Sequence, residues 1–402
     1  MTVEWFDLGQ RLKALDRGRC VPRLRHAPML PGSRPVAVRV RRQPRSGRVL
    51  VEAAGRDGAL AAGWDMDGLA ALAAVGASLD QATPATLVVD DPGTLHGLVG
   101  LARRVGAGDR LEAVAAQVGW WADRADFPGG LAVADLIAGC RARWVTGQSP
   151  DAEGTMAVWG RWLDVADSHL AGMLAVYDLI CAGDVLPLLA ELGDDDAYSY
   201  GQASKALTEG WDWRRPDTVS RAAVGLRSRC DAADLYGAAL LTDPLWRLRQ
   251  VHTGEVVVGE VTDDVPAANL AVVEVRCARL DARLRAGTDL VWWVGGPATP
   301  IRAGGWVGTV RQAAVEQGHL LLSVRVGARR DAPVQAGETV TLMPAPPSVH
   351  RQRSGRQSYR RLQYSRRSWL VTGRPATTSR RTVPLDVLLA GAEAPLDLGG
   401  DC

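Results

Sequence analysis

Residues 36–64 read VAVRVRRQPRSGRVLVEAAGRDGALAAGW, and this stretch decides the fold of the first part of the chain. Val36, Val38 and Val40 alternate with other residues, which is typical of a strand with one buried face. The sequences Arg-Ser-Gly-Arg and Arg-Asp-Gly that follow are typical of tight turns between strands. The stretch therefore predicts a meander of three antiparallel strands.

The segments on either side of the meander alternate between helical and strand patterns. An apolar repeat at Trp5, Leu8, Leu12 and Leu15 predicts a helix before the meander. After it we expect a helix over 67–79, a strand at 86–91, helices over 95–105 and 111–118, a strand at 120–125 and a helix over 131–144. Mixed strands and helices in this order predict an α/β domain of residues 1–150.

Three further stretches follow the predicted α/β domain. Residues 151–248 form a helical region, in which an apolar stripe over 156–177 predicts one helix of about six turns. Residues 249–347 contain six short strand patterns separated by turns, which predict a small β-barrel or sandwich. Residues 348–402 form an Arg-rich C-terminal segment, a basic arm on the β-rich module.

The positive charge of the chain is concentrated in this last segment. Between Ser348 and Thr382 there are ten arginines and no acid, so the net charge of +2 leaves −8 on the rest of the chain. Arginines interleaved with aromatic rings can meet phosphates and stack on bases. The predicted nucleic-acid-binding residues are Arg351, Arg353, Arg356, Arg360, Arg361, Arg366, Arg367, Tyr364 and Trp369. A tail that pairs with acids of its own chain, or with an acidic protein partner, is the alternative.

Composition excludes several other classes of protein. No stretch has the ~20 apolar residues of a membrane span, so we expect no membrane partner. The six cysteines form no Cys-x-x-Cys pair, and the start of the chain does not resemble a secretory signal, so a cytoplasmic location is expected. Neither of the two lysines, Lys13 and Lys205, lies in a P-loop sequence. The pattern does not indicate an oligomeric state.

The order of elements in the first domain resembles that of the ribonuclease H-like fold. The segments that carry the resemblance are Asp67-Gly-Leu-Ala-Ala-Leu72, Thr86-Leu-Val-Val-Asp90 and the closing glycine turn with Ala134-Asp135. The resemblance implies that Asp67, Asp90 and Asp135 are metal ligands and catalytic residues. It also implies Mg²⁺ or Mn²⁺ as the cofactor of a nuclease, because two-metal phosphodiester cleavage uses converging carboxylates.

The sequence departs from this family at the first strand. The family has a carboxylate there, whereas residues 36–42 read VAVRVRR, with Arg41 or Arg42 at the position of the acid. Glu52 is the nearby strand acid that could serve instead. We therefore predict a nucleic-acid-binding protein with a ribonuclease H-like domain of impaired activity, in which Arg41 and Arg42 contact phosphate. A divergent metal-dependent nuclease and a non-catalytic scaffold that binds protein are the alternatives.

Overall fold

The computed structural model describes residues 2–165, 169–215, 217–266, 271–301, 305–327 and 333–362, and these form a mixed α/β structure. Its helices are α1 (Val3–Arg17), α2 (Met66–Ala74), α3 (Gly93–Ala102), α4 (Glu112–Arg124), α5 (Leu136–Arg143), α6 (Met156–Leu163), α7 (Leu170–Cys181), α8 (Leu189–Thr208), α9 (Val219–Leu241), α10 (Pro244–Gln250) and α11 (Val349–Leu362). Its strands are β1 (Val21–Pro22), β2 (Arg34–Arg42), β3 (Val49–Gly55), β4 (Leu60–Trp64), β5 (Ala85–Val89), β6 (Val133–Asp135), β7 (Trp144–Val145), β8 (Val257–Val261), β9 (Ala271–Cys277), β10 (Asp289–Val294), β11 (Trp306–Glu316), β12 (His319–Val326) and β13 (Thr339–Pro344).

The first sheet has five strands in the order β4-β3-β2-β5-β6. Strands β2, β3 and β4 pair antiparallel, which confirms the predicted meander. Strand β5 lies parallel to β2, and β6 lies parallel to β5. Because Val89 is in register with Asp135, the carboxyl ends of β5 and β6 meet at one edge of the sheet.

Helices cover both faces of this sheet. Leu69, Leu98 and Val118, from α2, α3 and α4, belong to one core cluster with the side chains of one face. Met173 and Tyr177 of α7 pack with the other face. Burial on both faces explains why the inner strand β5 is apolar except for Thr86, since neither face of it meets water.

The fifth strand of the sheet lies elsewhere than predicted. We expected a strand at 120–125, but these residues form the last turns of α4 and the residue after it. Trp120 and Trp121 are buried on the helix, and the Trp121 Nε1–H donates to the Ala85 carbonyl at 2.8 Å. The strand is instead β6, at the start of the segment predicted as a helix over 131–144, and α5 follows it.

One expectation for the middle of the chain is also corrected. The apolar stripe over 156–177 forms two helices, α6 and α7, because Asp164 adopts a left-handed backbone conformation with φ 57° after α6. Ala166 of that stripe lies outside the described residues. The acidic run at 194–196 lies inside α8. There Arg124 pairs with Asp195 and Asp196, so one positive charge offsets part of the charge of the three acids.

The β-rich module has the six strands that the sequence predicts. They pair antiparallel in the order β10-β11-β12-β9-β8-β13, and β13 pairs again with β10, so the ring of hydrogen bonds closes. Closure leaves no free strand edge in this ring. Leu322, Leu342 and Trp292 are nearly inaccessible to water and belong to its core cluster.

Helix α10 joins the first domain to the β-rich module. The Asp243 carboxylate caps this helix by accepting from the Leu245 and Trp246 amides at 2.8 and 3.2 Å. Its other oxygen accepts from the His26 amide at 2.9 Å. Arg247, also buried, donates to the Pro297 carbonyl at the edge of the module at 2.7 Å.

The chain divides into two compact units, and the four predicted stretches stay a prediction. One contains residues 1–215 and 229–352, and the other contains 216–228 and 353–402. Helices α9 and α11 each contribute residues to both units. In the described part of the chain, no helix combines the length and apolar character needed to cross a membrane.

Candidate nucleic-acid interface

The predicted metal-binding carboxylates are held by three different elements. Asp67 is exposed in the first turn of α2, where its charge favours the positive end of the helix. Asp90 directly follows β5. Asp135 ends β6 and caps α5, since its Oδ1 accepts from the Ala138 amide at 3.0 Å.

Asp90 is neutralised by an arginine of the neighbouring strand. The Arg39 guanidinium donates to Asp90 Oδ2 at 2.5 Å from Nη2 and at 3.2 Å from Nε. Both side chains are largely buried, at 18% and 15% exposure. A carboxylate held in this way has little charge left for a cation.

Arg39 and Asp90 belong to a row of charges across the sheet. Side chains alternate along a strand, so Arg39 lies on the face of Ala37 and Asp90 on the face of Val88, both of which pack with α7. Glu52 is the direct cross-strand partner of Arg39.

Arg41 completes this row. Its Nε lies 3.5 Å from the Glu52 carboxylate. The sheet charge cluster therefore consists of Arg39, Arg41, Glu52 and Asp90, with two charges of each sign.

These residues do not fit a two-metal site. Among the described residues, no group of three or more His, Cys, Asp or Glu side chains is arranged to hold a metal ion. The two arginines of the sheet charge cluster also repel a cation. Metal binding by Asp67, Asp90 and Asp135 stays a prediction that this arrangement does not favour.

Arg39 is the arginine of the first strand that meets Asp90. The expectation that Arg41 or Arg42 stands at the position of the acid stays a prediction. The parallel register of β2 and β5, in which Ala37 lies beside Val88, produces the contact of Arg39 with Asp90. The alternation in VAVRVRR shows which face of the strand carries Arg39. The register between β2 and β5, by contrast, can be read only from the folded chain.

Helix α11 carries the first part of the predicted basic segment. It contains five arginines and no acid, namely Arg351, Arg353, Arg356, Arg360 and Arg361. Arg351, Arg353 and Arg361 are exposed, and Arg356 is partly exposed. Arg366, Arg367, Tyr364 and Trp369 lie outside the described residues.

The start of α11 is fixed to the body of the protein. Gln352 is buried, and its Nε2 donates to the Asp231 carbonyl at 3.2 Å. Val349 packs against a core cluster that contains Leu235 of α9. The arginine run therefore begins at a defined position and is not a wholly free arm.

A second basic surface lies at the turn between β2 and β3. The hairpin surface consists of Arg42, Arg45, Arg48, Trp64 and Arg104, and all five side chains are exposed. The Arg48 guanidinium carbon lies 5.1 Å from the centre of the Trp64 ring. Within the described residues, neither Arg42 nor Arg45 forms an ion pair.

Asp65 is the acid next to this surface, and it is already occupied. Its Oδ1 accepts from the Val49 amide at 3.0 Å, and its Oδ2 pairs with Arg48 at 3.0 Å. These bonds lower the pKa of Asp65, and Arg104 contributes in the same direction. The hairpin surface therefore retains excess positive charge beside an exposed ring.

Comparisons with known proteins add no family to this geometry. Neither protein-family models, curated proteins nor solved structures give a match to the chain.

Proposed function

We propose that the protein binds nucleic acid and does not cleave it. The observation that carries this proposal is helix α11, with five arginines and no acid in 14 residues. Guanidinium groups bind phosphate oxygens in a forked geometry, and each contact releases counterions from the polyanion. A helix with one sign of charge attracts such a polymer along its length.

The hairpin surface supports the same proposal from an independent part of the chain. Arg42 and Arg45 are placed to meet phosphates, which extends the expectation made for Arg41 and Arg42. Trp64 offers a flat ring on which an unpaired base can stack. This combination favours single-stranded nucleic acid, because bases within a duplex are already stacked.

The order of meander, helix, parallel strand, helices, parallel strand and helix supports a ribonuclease H-like origin of the first domain. We propose that the domain does not cleave nucleic acid because Arg39 pairs with Asp90. An arginine bonded to Asp90 replaces attraction for a cation by repulsion, and Glu52 lies opposite Arg39 on the next strand and 3.5 Å from Arg41 Nε. We further propose that the closed ring of six strands is a small barrel that serves as a docking module.

The test is a binding titration of the full chain with a fluorescent single strand and with the matching duplex. The affinity of the native protein should fall steeply between about 50 and 200 mM salt. Changing all five arginines of α11 to glutamine should reduce the slope of log K against log salt by up to about 3.5 on the single strand and about 4.5 on the duplex. The matched control carries five glutamines at exposed arginines elsewhere: Arg17, Arg19, Arg110, Arg283 and Arg285.

Three outcomes would contradict the proposal. If the α11 variant and the control lose affinity equally, the attraction is unspecific. If neither nucleic acid binds at the lowest salt, the scaffold alternative is favoured. Cleavage of an RNA–DNA hybrid in Mg²⁺ or Mn²⁺, abolished in Asp90→Asn, would instead establish the nuclease alternative.

A further inference from the structure

Helix α1 exposes its apolar side. Trp5, Leu8, Leu12 and Leu15 recur at steps of three and four residues and therefore share one face of the helix. Their side chains are 67%, 43%, 56% and 58% exposed, respectively. We call these four residues the α1 stripe. A helix of a globular protein ordinarily buries such a stripe, so α1 has the opposite orientation.

The opposite face of α1 explains this orientation. Asp7 forms two bonds of 2.9 Å with Arg249, one from Nε and one from Nη2. Arg11 forms a second bidentate pair with Glu153, at 2.7 and 3.2 Å. Ala14 is fully buried on the same face. Ion pairs thus hold the helix to the body and leave the stripe outside.

From this geometry we infer that the α1 stripe binds the α1 stripe of a second copy of the chain. The steps between the four residues are three, four and three, so the pattern reads the same from both ends. In an antiparallel pair, Trp5 therefore lies opposite Leu15, and Leu8 lies opposite Leu12. Apolar residues at alternating steps of three and four are also typical of coiled coils, in which the side chains of one helix pack into holes between the side chains of the other.

Symmetry makes this surface self-complementary. A two-fold axis brings the same patch of both copies together, so eight large apolar side chains leave water at once. Trp5 packs against a smaller leucine, which avoids two opposed indole rings at each end.

The charge of α1 favours a protein partner over a lipid surface or nucleic acid. The helix carries three acids, Glu4, Asp7 and Asp16, and three bases, Arg11, Lys13 and Arg17. Helices that bind membrane surfaces concentrate lysine and arginine on the polar side. Here the net charge is zero, and Asp7 and Arg11 are bound to the body.

The size of the surface sets the expected strength. A helix of 15 residues is about 22 Å long, so a pair of them lies at the small end of stable interfaces. We therefore expect a reversible dimer with a dissociation constant of about 1–100 μM. Apolar contacts should keep this dimer intact at high salt.

Sedimentation equilibrium of the full chain at several protein concentrations tests the inference. The sample is first treated with a nuclease so that it contains no nucleic acid. The mass should rise from the monomer value of 42.9 kDa towards twice that value. The double variant Leu8→Glu and Leu12→Glu should raise the dissociation constant at least about 100-fold, because four charges enter the interface. Trp5→Ala, a milder change, should raise it by about 10-fold.

The control places two glutamates at other exposed leucines. Leu60 and Leu280 are 74% and 53% exposed and lie outside α1, so Leu60→Glu with Leu280→Glu should dimerise like the native chain. A native chain that remains monomeric at every concentration overturns the inference, as does a stripe variant that dimerises like the control. Binding to lipid vesicles by a strictly monomeric chain would also overturn it. High salt and nuclease treatment make the result independent of the proposed nucleic-acid binding.

Discussion

At the scale of single residues, the Arg39–Asp90 pair has the largest consequence for function. The two side chains meet because the parallel strands β2 and β5 bring positions 39 and 90 together at one edge of the sheet. Each group is costly to bury alone, since an unpaired charge loses its water without a compensating partner. The pair therefore acts as a unit that both fills and neutralises this edge.

A double-mutant cycle tests this coupling. Arg39→Gln and Asp90→Asn should each lower the free energy of unfolding by about 1–3 kcal/mol, and the double variant should lose less than their sum. Arg276→Gln with Glu260→Gln is the control, because these side chains are 54% and 58% exposed and the pair spans 3.9 Å. That cycle should show a coupling below about 0.5 kcal/mol in urea unfolding. Additive losses in the Arg39–Asp90 cycle would mean that the two charges are energetically independent.

At the scale of elements, the sequence predicts strands better than helix limits. Alternation gives the meander, and turn residues give all six strands of the β-rich module, because these signals are local. The fifth strand of the first sheet was missed because Trp120 and Trp121 favour a strand by residue type, while tertiary packing buries them on α4. The break at Asp164 was missed because its left-handed backbone depends on the flanking helices.

Helix α1 shows the same limit for a functional surface. Its helical spacing is visible in the sequence, and the α1 stripe was identified as an apolar repeat. The outward direction of the stripe was not, because Arg249 and Glu153 are distant in sequence from the residues they hold. Ion pairs to residues distant in sequence can thus lead a helix to bury its polar face and expose its apolar face.

Glu153 provides a test of how α1 is held. Burial raises its pKa, but bonds from Arg11 and Thr146 outweigh burial and keep the pKa below the ordinary value. The bonds therefore stabilise the protein above the ordinary glutamate pKa, and this contribution is lost as pH falls through the lowered value. Glu153→Gln should lower the free energy of unfolding by about 1–3 kcal/mol at pH 7 and by less under acid.

Chemical unfolding at several pH values measures the difference in the free energy of unfolding between the native chain and Glu153→Gln. Glu209→Gln is the control, because Glu209 is 52% exposed and its ion pair with Lys205 spans 3.7 Å. The control should change stability by less than about 0.5 kcal/mol. A difference between native and Glu153→Gln that stays constant into the acid range would contradict the role given to the carboxylate.

At the scale of the whole molecule, arginines supply separate surfaces for a polyanion and the N-terminal helix supplies an apolar one. A chain that pairs through α1 presents each basic surface twice. Two linked contacts raise the effective affinity for one long strand without any new contact. Self-association and polyanion binding would then reinforce each other, although each is measured separately.

Pairing through α1 also predicts that thermal stability depends on protein concentration. Partner binding stabilises the folded state by about 2.7 kcal/mol when the concentration is 100 times the dissociation constant. For a chain of this size, the melting temperature should rise by about 3 °C over that range. Calorimetry at low and high concentration checks this, and the variant Leu8→Glu with Leu12→Glu should show no rise.

The two faces of α1 have opposite responses to dissolved ions. Electrolyte screens the attraction of Asp7 for Arg249 and of Arg11 for Glu153, and strongly hydrated anions such as sulfate strengthen contacts between apolar side chains. Because these ion pairs are partly buried, they are screened only weakly, so moderate sulfate should leave the helix attached to its own subunit while it tightens the contact with a second copy.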